Sequence, residues 1–107
     1  MLYKFKSKAG GDVIMLGPQG DQMLQLLGRS PADKGIFQAG DLPQLVETLT
    51  RAVDDDEAAF AKVQAEAKAA GEPAPRRTGI QLRQRAWPLI ELMRHAQREK
   101  TDVVWGV

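Results

Sequence analysis

The side chains that could perform nucleophilic or acid–base chemistry are few in this 107-residue sequence. It contains one histidine, His95, two serines and no cysteine. A serine or cysteine hydrolase needs a nucleophile beside a base that accepts its proton. Glu91 precedes His95 by four residues, which on a helix predicts a surface Glu–His pair rather than a catalytic base. We therefore predict no catalytic residue and favour a protein that is not an enzyme.

Metal and cofactor sites have equally little support. Asp54, Asp55 and Asp56 are consecutive, and consecutive residues of a helix point about 100° apart, so these carboxylates cannot converge on one ion. The glycines near the start of the chain lack the spacing of a dinucleotide-binding or Walker phosphate loop. We predict no metal site and no cofactor.

Two groups of basic residues could bind a partner. Lys4, Lys6 and Lys8 alternate along the first segment and are the candidate nucleic-acid face, because lysines on one face of a strand can contact phosphates. The same pattern is typical of an edge strand that avoids pairing with a second chain. The sequence leaves both interpretations open.

The second basic group surrounds a tryptophan. Arginine and tryptophan are enriched at binding hot spots, and a proline within a helix costs a backbone hydrogen bond. An outward-facing Trp87 would therefore form an interaction surface, although we favour core placement for both Trp87 and Trp105. The candidate interaction surface comprises Arg76, Arg77, Arg83, Arg85, Trp87 and Pro88.

Charge is unevenly distributed along a chain whose formal net charge is +1. Residues 54–72 contain six acids and two bases, whereas residues 73–107 contain seven bases and three acids. The acidic run 54–57 and the basic run 76–85 could pair within one molecule, pair between two copies, or face separate partners. The sequence does not decide among these arrangements.

Apolar periodicity predicts the strands. Tyr3 and Phe5 alternate with lysines and should face the core, and Gly10-Gly11 favours a two-residue turn with positive φ between strands at 2–7 and 12–16. We also expect a brief strand at 35–38. A last strand at 103–105 should lie beside the hairpin.

Capping patterns predict three helices. A short first helix should end at Gly28. Asp41 with Gln44 indicates a capping box opening a helix over 42–70, which Gly71 closes. An exposed, stiff linker at 71–77 follows.

The third predicted helix contains a proline. Thr78 with Gln81 indicates its cap, and Pro88 predicts a kink near Arg83–Trp87 or a restart after it. The element order fits an α+β fold of two layers, in which about three helices cover one face of a small, mostly antiparallel sheet of three to four strands.

Length and composition bound the organisation. A chain this short buries roughly two-thirds of its unfolded surface, enough for one domain over 1–107. Lys4, Lys6 and Lys8 interrupt the apolar stretch that a signal peptide needs, and no run approaches the 18 or so residues of a membrane span. We expect a cytoplasmic protein without a membrane partner.

The start MLYKFKSK, the segment LRQRAWPLIELMRHA and the end VVWGV resemble a small bacterial family of domains of unknown function. The resemblance spans essentially the whole chain and implies no established activity, cofactor or catalytic residue. We therefore expect a non-enzymatic protein-interaction or regulatory module that binds another protein or a second copy. Weak nucleic-acid binding is the alternative, and a small-ligand carrier or an enzyme without a recognisable motif is the second alternative.

Overall fold

The computed structural model describes residues 2–76 and 81–107, which form four strands, three α-helices and one 3₁₀ turn. The elements are β1 Leu2–Ser7, β2 Gly10–Leu16, α1 Gly17–Leu26, β3 Gly35–Phe37, the 3₁₀ turn Ala39–Asp41, α2 Leu42–Ala69, α3 Leu82–Glu99 and β4 Val103–Trp105. This order confirms the predicted α+β class, including the brief third strand.

The four strands form one antiparallel sheet in the order β2–β1–β4–β3. The last strand lies beside the hairpin, as predicted, and pairs with both β1 and β3. Strand β1 is therefore central, and the two edges of the sheet are β2 and β3. The hypothesis that the lysines of β1 protect a sheet edge is wrong, because β1 is not an edge strand.

One face of the sheet forms the core with the three helices. Tyr3 and Phe5 are 2% and 0% exposed, which confirms the predicted alternation along β1. The Phe5 ring centroid lies 5.6 Å from that of Trp105 and 6.2 Å from that of Phe37. Trp105 is buried, as expected, and its indole N–H donates to the carbonyl of Ala32 at 3.1 Å. Buried residues of α1, α2 and α3 join the same cluster.

The turn of the β1–β2 hairpin differs from the prediction. Ser7 pairs with Gly10, so the turn residues are Lys8 and Ala9. The Ala9 amide donates to the Ser7 hydroxyl at 3.2 Å, a local bond that favours a turn at this position. Gly10 lies within β2 and does not adopt positive φ. The predicted Gly10-Gly11 turn is wrong, and Lys8 lies in the turn rather than on the strand.

Two of the predicted helix ends are confirmed by left-handed glycines. Gly28 has φ of 77° and follows α1, where the next amide, that of Arg29, donates to the Leu24 carbonyl at 2.8 Å. Gly71 has φ of 73° and follows α2. These ends were predictable because glycine adopts this conformation without the steric cost that a Cβ imposes.

The start of α2 does not use the predicted capping box. Asp41 has helical φ and ψ of −92° and −14° because the 3₁₀ turn runs directly into α2. A side-chain cap requires an extended backbone at that position, and the Asp41 side chain makes no cap hydrogen bond. Its carboxylate instead lies 3.9 Å from the Arg29 guanidinium.

Helix α3 begins at Leu82, after a capping box formed by Gln81 and Gln84. The predicted cap at Thr78 lies outside the described residues. Pro88 is inside α3, which continues as one helix to Glu99, so the predicted restart after Pro88 is wrong. Because Pro88 has no N–H, it cannot donate to the carbonyl of Gln84. Seven buried residues along α3 hold the helix on the core despite this loss.

Candidate interaction surfaces

Arg83 is the residue at which the acidic and basic segments meet. Its guanidinium lies 2.5 Å from Glu57 Oε1 and 3.2 Å from Asp54 Oδ1, both on α2. The hydrogen bond and charge of Glu57 raise the pKa of Arg83 above its ordinary value. The opposite charges therefore pair within one molecule at this point. Arg83 joins two helices and is not an unpaired cation awaiting a partner.

Trp87 points away from the core. It is 45% exposed, so the expectation of core placement is wrong. The buried side of α3 includes Ala86, Leu89 and Ile90. Trp87, the residue after Ala86, therefore faces solvent. The Arg94 guanidinium lies 5.5 Å from the Trp87 ring centroid, and Arg94 also pairs with Glu91 at 3.1 Å. The indole is thus exposed but held by a cation–π contact.

Two shallow depressions on α3 share residues. One is apolar and is lined by Arg83, Gln84, Trp87 and Pro88. We refer to three of these residues, Gln84, Trp87 and Pro88, as the α3 surface. The other depression lies between α3 and strand β2, and we call it the β2 groove; it is lined by Asp12, Val13, Ile14, Met15, Gln19, Gln84, Arg85 and Pro88. Because Gln84 and Pro88 line both, the two form one continuous surface.

The remaining arginines of the candidate interaction surface lie in different places. Arg85 is half-buried in the β2 groove, and its buried Nε has no hydrogen-bond partner among the described residues. Arg76 lines a separate depression along α2 with Gln64, whose side chain donates to the Pro75 carbonyl at 3.1 Å. Arg77 lies outside the described residues. The structure therefore brings Arg85, Trp87 and Pro88 onto one surface and places Arg76 elsewhere.

The face of the sheet opposite the core carries exposed aliphatic side chains. Leu2, Ile14 and Leu16 are 63%, 61% and 59% exposed. In the register of the hairpin, Leu2 pairs with Leu16, and Ile14 pairs with Lys4. Sequence reasoning missed Ile14 and Leu16 as surface residues. The signal was present, because each alternates with the core-facing Met15.

The lysines predicted as a nucleic-acid face do not form one row. Lys4 pairs with Asp12 at 3.6 Å across the outer face. Lys6 and Lys8 line a depression at the end of the sheet that also contains Asp102. The aromatic side chains of the strands pack into the core on the opposite face. A binding sheet that stacks bases needs aromatic rings on the same face as its cations, and this sheet separates them.

His95 is exposed and has a different partner from the predicted one. Its Nδ1 lies 2.8 Å from Arg98 Nη2, while Glu91 pairs with Arg94. The predicted Glu91–His95 pair is wrong. Arg94 pairs with Glu91 and Arg98 contacts His95, and each arginine lies three residues after its partner on the helix. In the part of the chain that the structure describes, no three histidine or acidic side chains lie close enough to hold a metal ion.

Tyr3 and Asp21 form a part-buried polar contact between β1 and α1. The Tyr3 hydroxyl donates to Asp21 Oδ1, which joins β1 to α1. Burial, with the adjacent Asp21 carboxylate, raises the pKa of Tyr3 to about 12. The phenol is therefore protonated at neutral pH and serves as a hydrogen-bond donor between two elements.

These features define a small α+β domain with helices on one face of an antiparallel sheet and an exposed aromatic surface on its last helix. The chain belongs to the family of domains of unknown function DUF1840, whose pattern matches residues 1–105. This match confirms the resemblance drawn from the sequence. Neither a curated protein nor a solved structure matches the chain. Among the described helices, none combines the length and apolar character that crossing a bilayer requires.

Proposed function

We propose that this domain is a cytoplasmic, non-enzymatic interaction module that docks a protein partner on the α3 surface. The observation that carries the proposal is the exposure of Trp87, a large aromatic residue beside Pro88 on a helix whose other side is anchored in the core. Tryptophan is among the residue types most enriched at binding hot spots.

Nearly half of the Trp87 side chain contacts water and can be covered by a partner. Covering an apolar area on the order of 100 Å² at roughly 25 cal/mol per Å² contributes about 2.5 kcal/mol to association. The Arg94 contact and the buried side of α3 hold Trp87 in place before binding. Less side-chain entropy is then lost when a partner covers the ring.

Arg83 has a positioning role in this proposal. Its contacts with Glu57 and Asp54 fix the first turns of α3 against α2. The partner therefore meets Gln84, Trp87 and Pro88, while Arg83, which lines the same depression, keeps its ion pairs with α2. Arg85 lies at the border between the α3 surface and the β2 groove.

The test is affinity capture of the tagged chain from its native cell lysate, with and without nuclease. Wild type is compared with Trp87→Ala and with Val63→Ala, a matched control because Val63 is 51% exposed on α2. We expect a nuclease-resistant protein that wild type and Val63→Ala retain and Trp87→Ala loses. Equal capture by Trp87→Ala would contradict the proposal. Both variants should unfold within about 0.5 kcal/mol of wild type because the changed side chains are exposed.

Weak nucleic-acid binding is the second candidate function, and the observation that favours it is the shared position of Lys6 and Lys8 in one depression. In the same capture experiment, material lost on nuclease treatment would support it. Binding of a mixed oligonucleotide should then weaken steeply as salt increases, because released counterions drive such binding. An affinity that is independent of salt would exclude it.

A further inference from the structure

The two edges of the sheet differ in how their backbone is protected. Strand β3 has only three residues, and Arg29 Nη1 donates to the Ile36 carbonyl at 2.8 Å. The same guanidinium lies 5.2 Å from the Phe37 ring centroid. Arg29 thus occupies the β3 edge, and an additional strand would have to displace it.

Strand β2 is a longer edge without such protection. It has seven residues, Gly10–Leu16, and contains neither lysine nor proline. Its one charged side chain, Asp12, already pairs with Lys4. No hydrogen bond from a neighbouring element reaches the outer edge of β2 within the described residues. Edge strands usually carry lysine, proline, a bulge or a covering loop that prevents pairing. In β2 the register shifts only toward the Gly10 end, between the Phe5–Val13 and Ser7–Gly10 pairs, and the stretch from Val13 to Leu16 is regular and carries none of these devices.

The alternation of hydrogen bonds identifies which backbone groups are available. Backbone groups in an antiparallel ladder point alternately toward one neighbour and the other. The Ile36 carbonyl points toward Arg29, away from β4. The same alternation, carried across β4 and β1 by the register of the sheet, places the N–H and C=O of Ile14 and Leu16 on the open edge of β2.

We propose that two copies of this chain associate by antiparallel pairing of β2 with β2, which joins the two sheets into one of eight strands. A two-fold axis at Ile14 places Asp12 opposite the partner's Leu16, so like charges do not meet. On the core side, Val13 lies opposite the partner's Met15. The strand is therefore complementary to itself, which is the requirement for a closed symmetric dimer.

The β2 groove lies beside the edge at which a second copy would pair. It runs beside the β2 edge with a volume of about 340 Å³, and Gln84, Arg85 and Pro88 of α3 form its helical side. Helix α3 therefore lies next to the space that a fifth strand would enter.

This inference goes beyond the proposed function, because it concerns a strand edge and a second copy rather than the α3 surface and another protein. Its test is the molar mass of the full chain, measured by sedimentation equilibrium across a range of concentrations. Wild type should reach twice the 11.8 kDa of one chain. Ile14→Lys should stay at the monomer mass, since two lysines would face each other at the axis.

Leu2→Lys is the matched control. Leu2 is as exposed as Ile14, 63% against 61%, and lies on the same face, but on the central strand β1. Edge pairing predicts that Leu2→Lys remains a dimer. If Leu2→Lys is as monomeric as Ile14→Lys, the contact uses the sheet face and the proposal is wrong. A wild-type chain that is monomeric at every concentration also overturns it.

Hydrogen exchange of the wild type supplies an independent readout that does not depend on the folding of a variant. The Ile14 and Leu16 amides should become protected as concentration rises, while exposed amides far from the edge do not change. Fast exchange of both amides at concentrations where the mass is doubled would overturn the proposal. Trp87→Ala should remain a dimer because Trp87 is not part of the β2 edge. The two proposals are therefore tested separately, and failure of edge pairing does not contradict docking on the α3 surface.

Discussion

The Arg83 guanidinium lies 2.5 Å from the Glu57 carboxylate, and this contact joins the start of α3 to the middle of α2. Both side chains are largely open to solvent, and an exposed pair of this kind is screened by salt. The seven buried residues of α3 set which side of the helix faces outward, and this contact adds to the attachment of its first turns to α2. A substitution of Arg83 therefore acts on the fold before it acts on any partner.

Charge reversal at Arg83 tests this role. Arg83→Glu places a third carboxylate beside Glu57 and Asp54, so its melting temperature should fall below that of Arg83→Ala. Thermal unfolding at low and at high salt measures the difference, which should shrink at high salt because the repulsion is screened. Equal melting temperatures for Arg83→Glu and Arg83→Ala at low salt would contradict the prediction.

The raised pKa of Tyr3 predicts that the fold loses stability at high pH. Its pKa rises from an ordinary value of 10 to about 12 in the fold, so the folded state holds its proton more tightly than the unfolded state. Tyr3 then contributes its full stability below pH 10 and loses it as the pH rises toward 12. Because Tyr3 is the one tyrosine in the sequence, phenolate absorbance reports its titration alone. A midpoint at the ordinary value would contradict the buried hydrogen bond.

Tyr3→Phe separates the hydroxyl from the ring. The variant keeps the aromatic packing but removes the donor to Asp21, and it should lose about 2 kcal/mol of stability at neutral pH. The free energy of unfolding of Tyr3→Phe in urea should also lack the decline between pH 10 and 12 that we expect of wild type. If both proteins decline alike, another group causes the alkaline transition.

A glycine beside Tyr3 shows how tightly α1 packs on the sheet. A Cβ built on Gly20 would lie 2.0 Å from Tyr3 Cδ2, whereas at Gly11 it would meet nothing within 4 Å. Gly20→Ala must therefore displace a buried ring and should destabilise the fold by about 1–3 kcal/mol. Gly11→Ala is the matched control and should remain close to wild type in urea unfolding. Comparable losses in both variants would show that the Tyr3 contact does not set the cost, because backbone entropy alone favours alanine over glycine.

Local patterns in the sequence predicted the elements well. The alternation of Tyr3 and Phe5 with lysines predicted β1 and its buried face, and Gly28 and Gly71 predicted two helix ends. These features depend on residues within a few positions of one another. The same local reasoning misplaced the Asp41 cap, because the backbone there is already helical as it leaves the 3₁₀ turn.

Non-local packing explains what the sequence did not predict. The lysines of β1 could belong to an edge or a central strand until β4, about a hundred residues away, was seen to pair with β1. The general burial of large aromatic residues favoured the core for Trp87, and this was wrong because the packing of α3 against the sheet and α2 turns that position toward solvent. The order of strands and the orientation of a helix thus set which predicted residues form a surface.

Arg29 protects the β3 edge of the sheet. Arg29 bonds the Ile36 carbonyl on β3, and Ile36 is itself 39% exposed. Arg29→Ala would leave a second open edge on every molecule. If β2 edges pair as proposed, this variant should form species larger than a dimer, because each dimer would then present two free β3 edges. Combining Arg29→Ala with Ile14→Lys should limit assembly to pairs joined through β3. Sedimentation velocity measures both, and an Arg29→Ala protein with the same distribution as wild type would show that the short β3 strand does not need its arginine to remain unpaired.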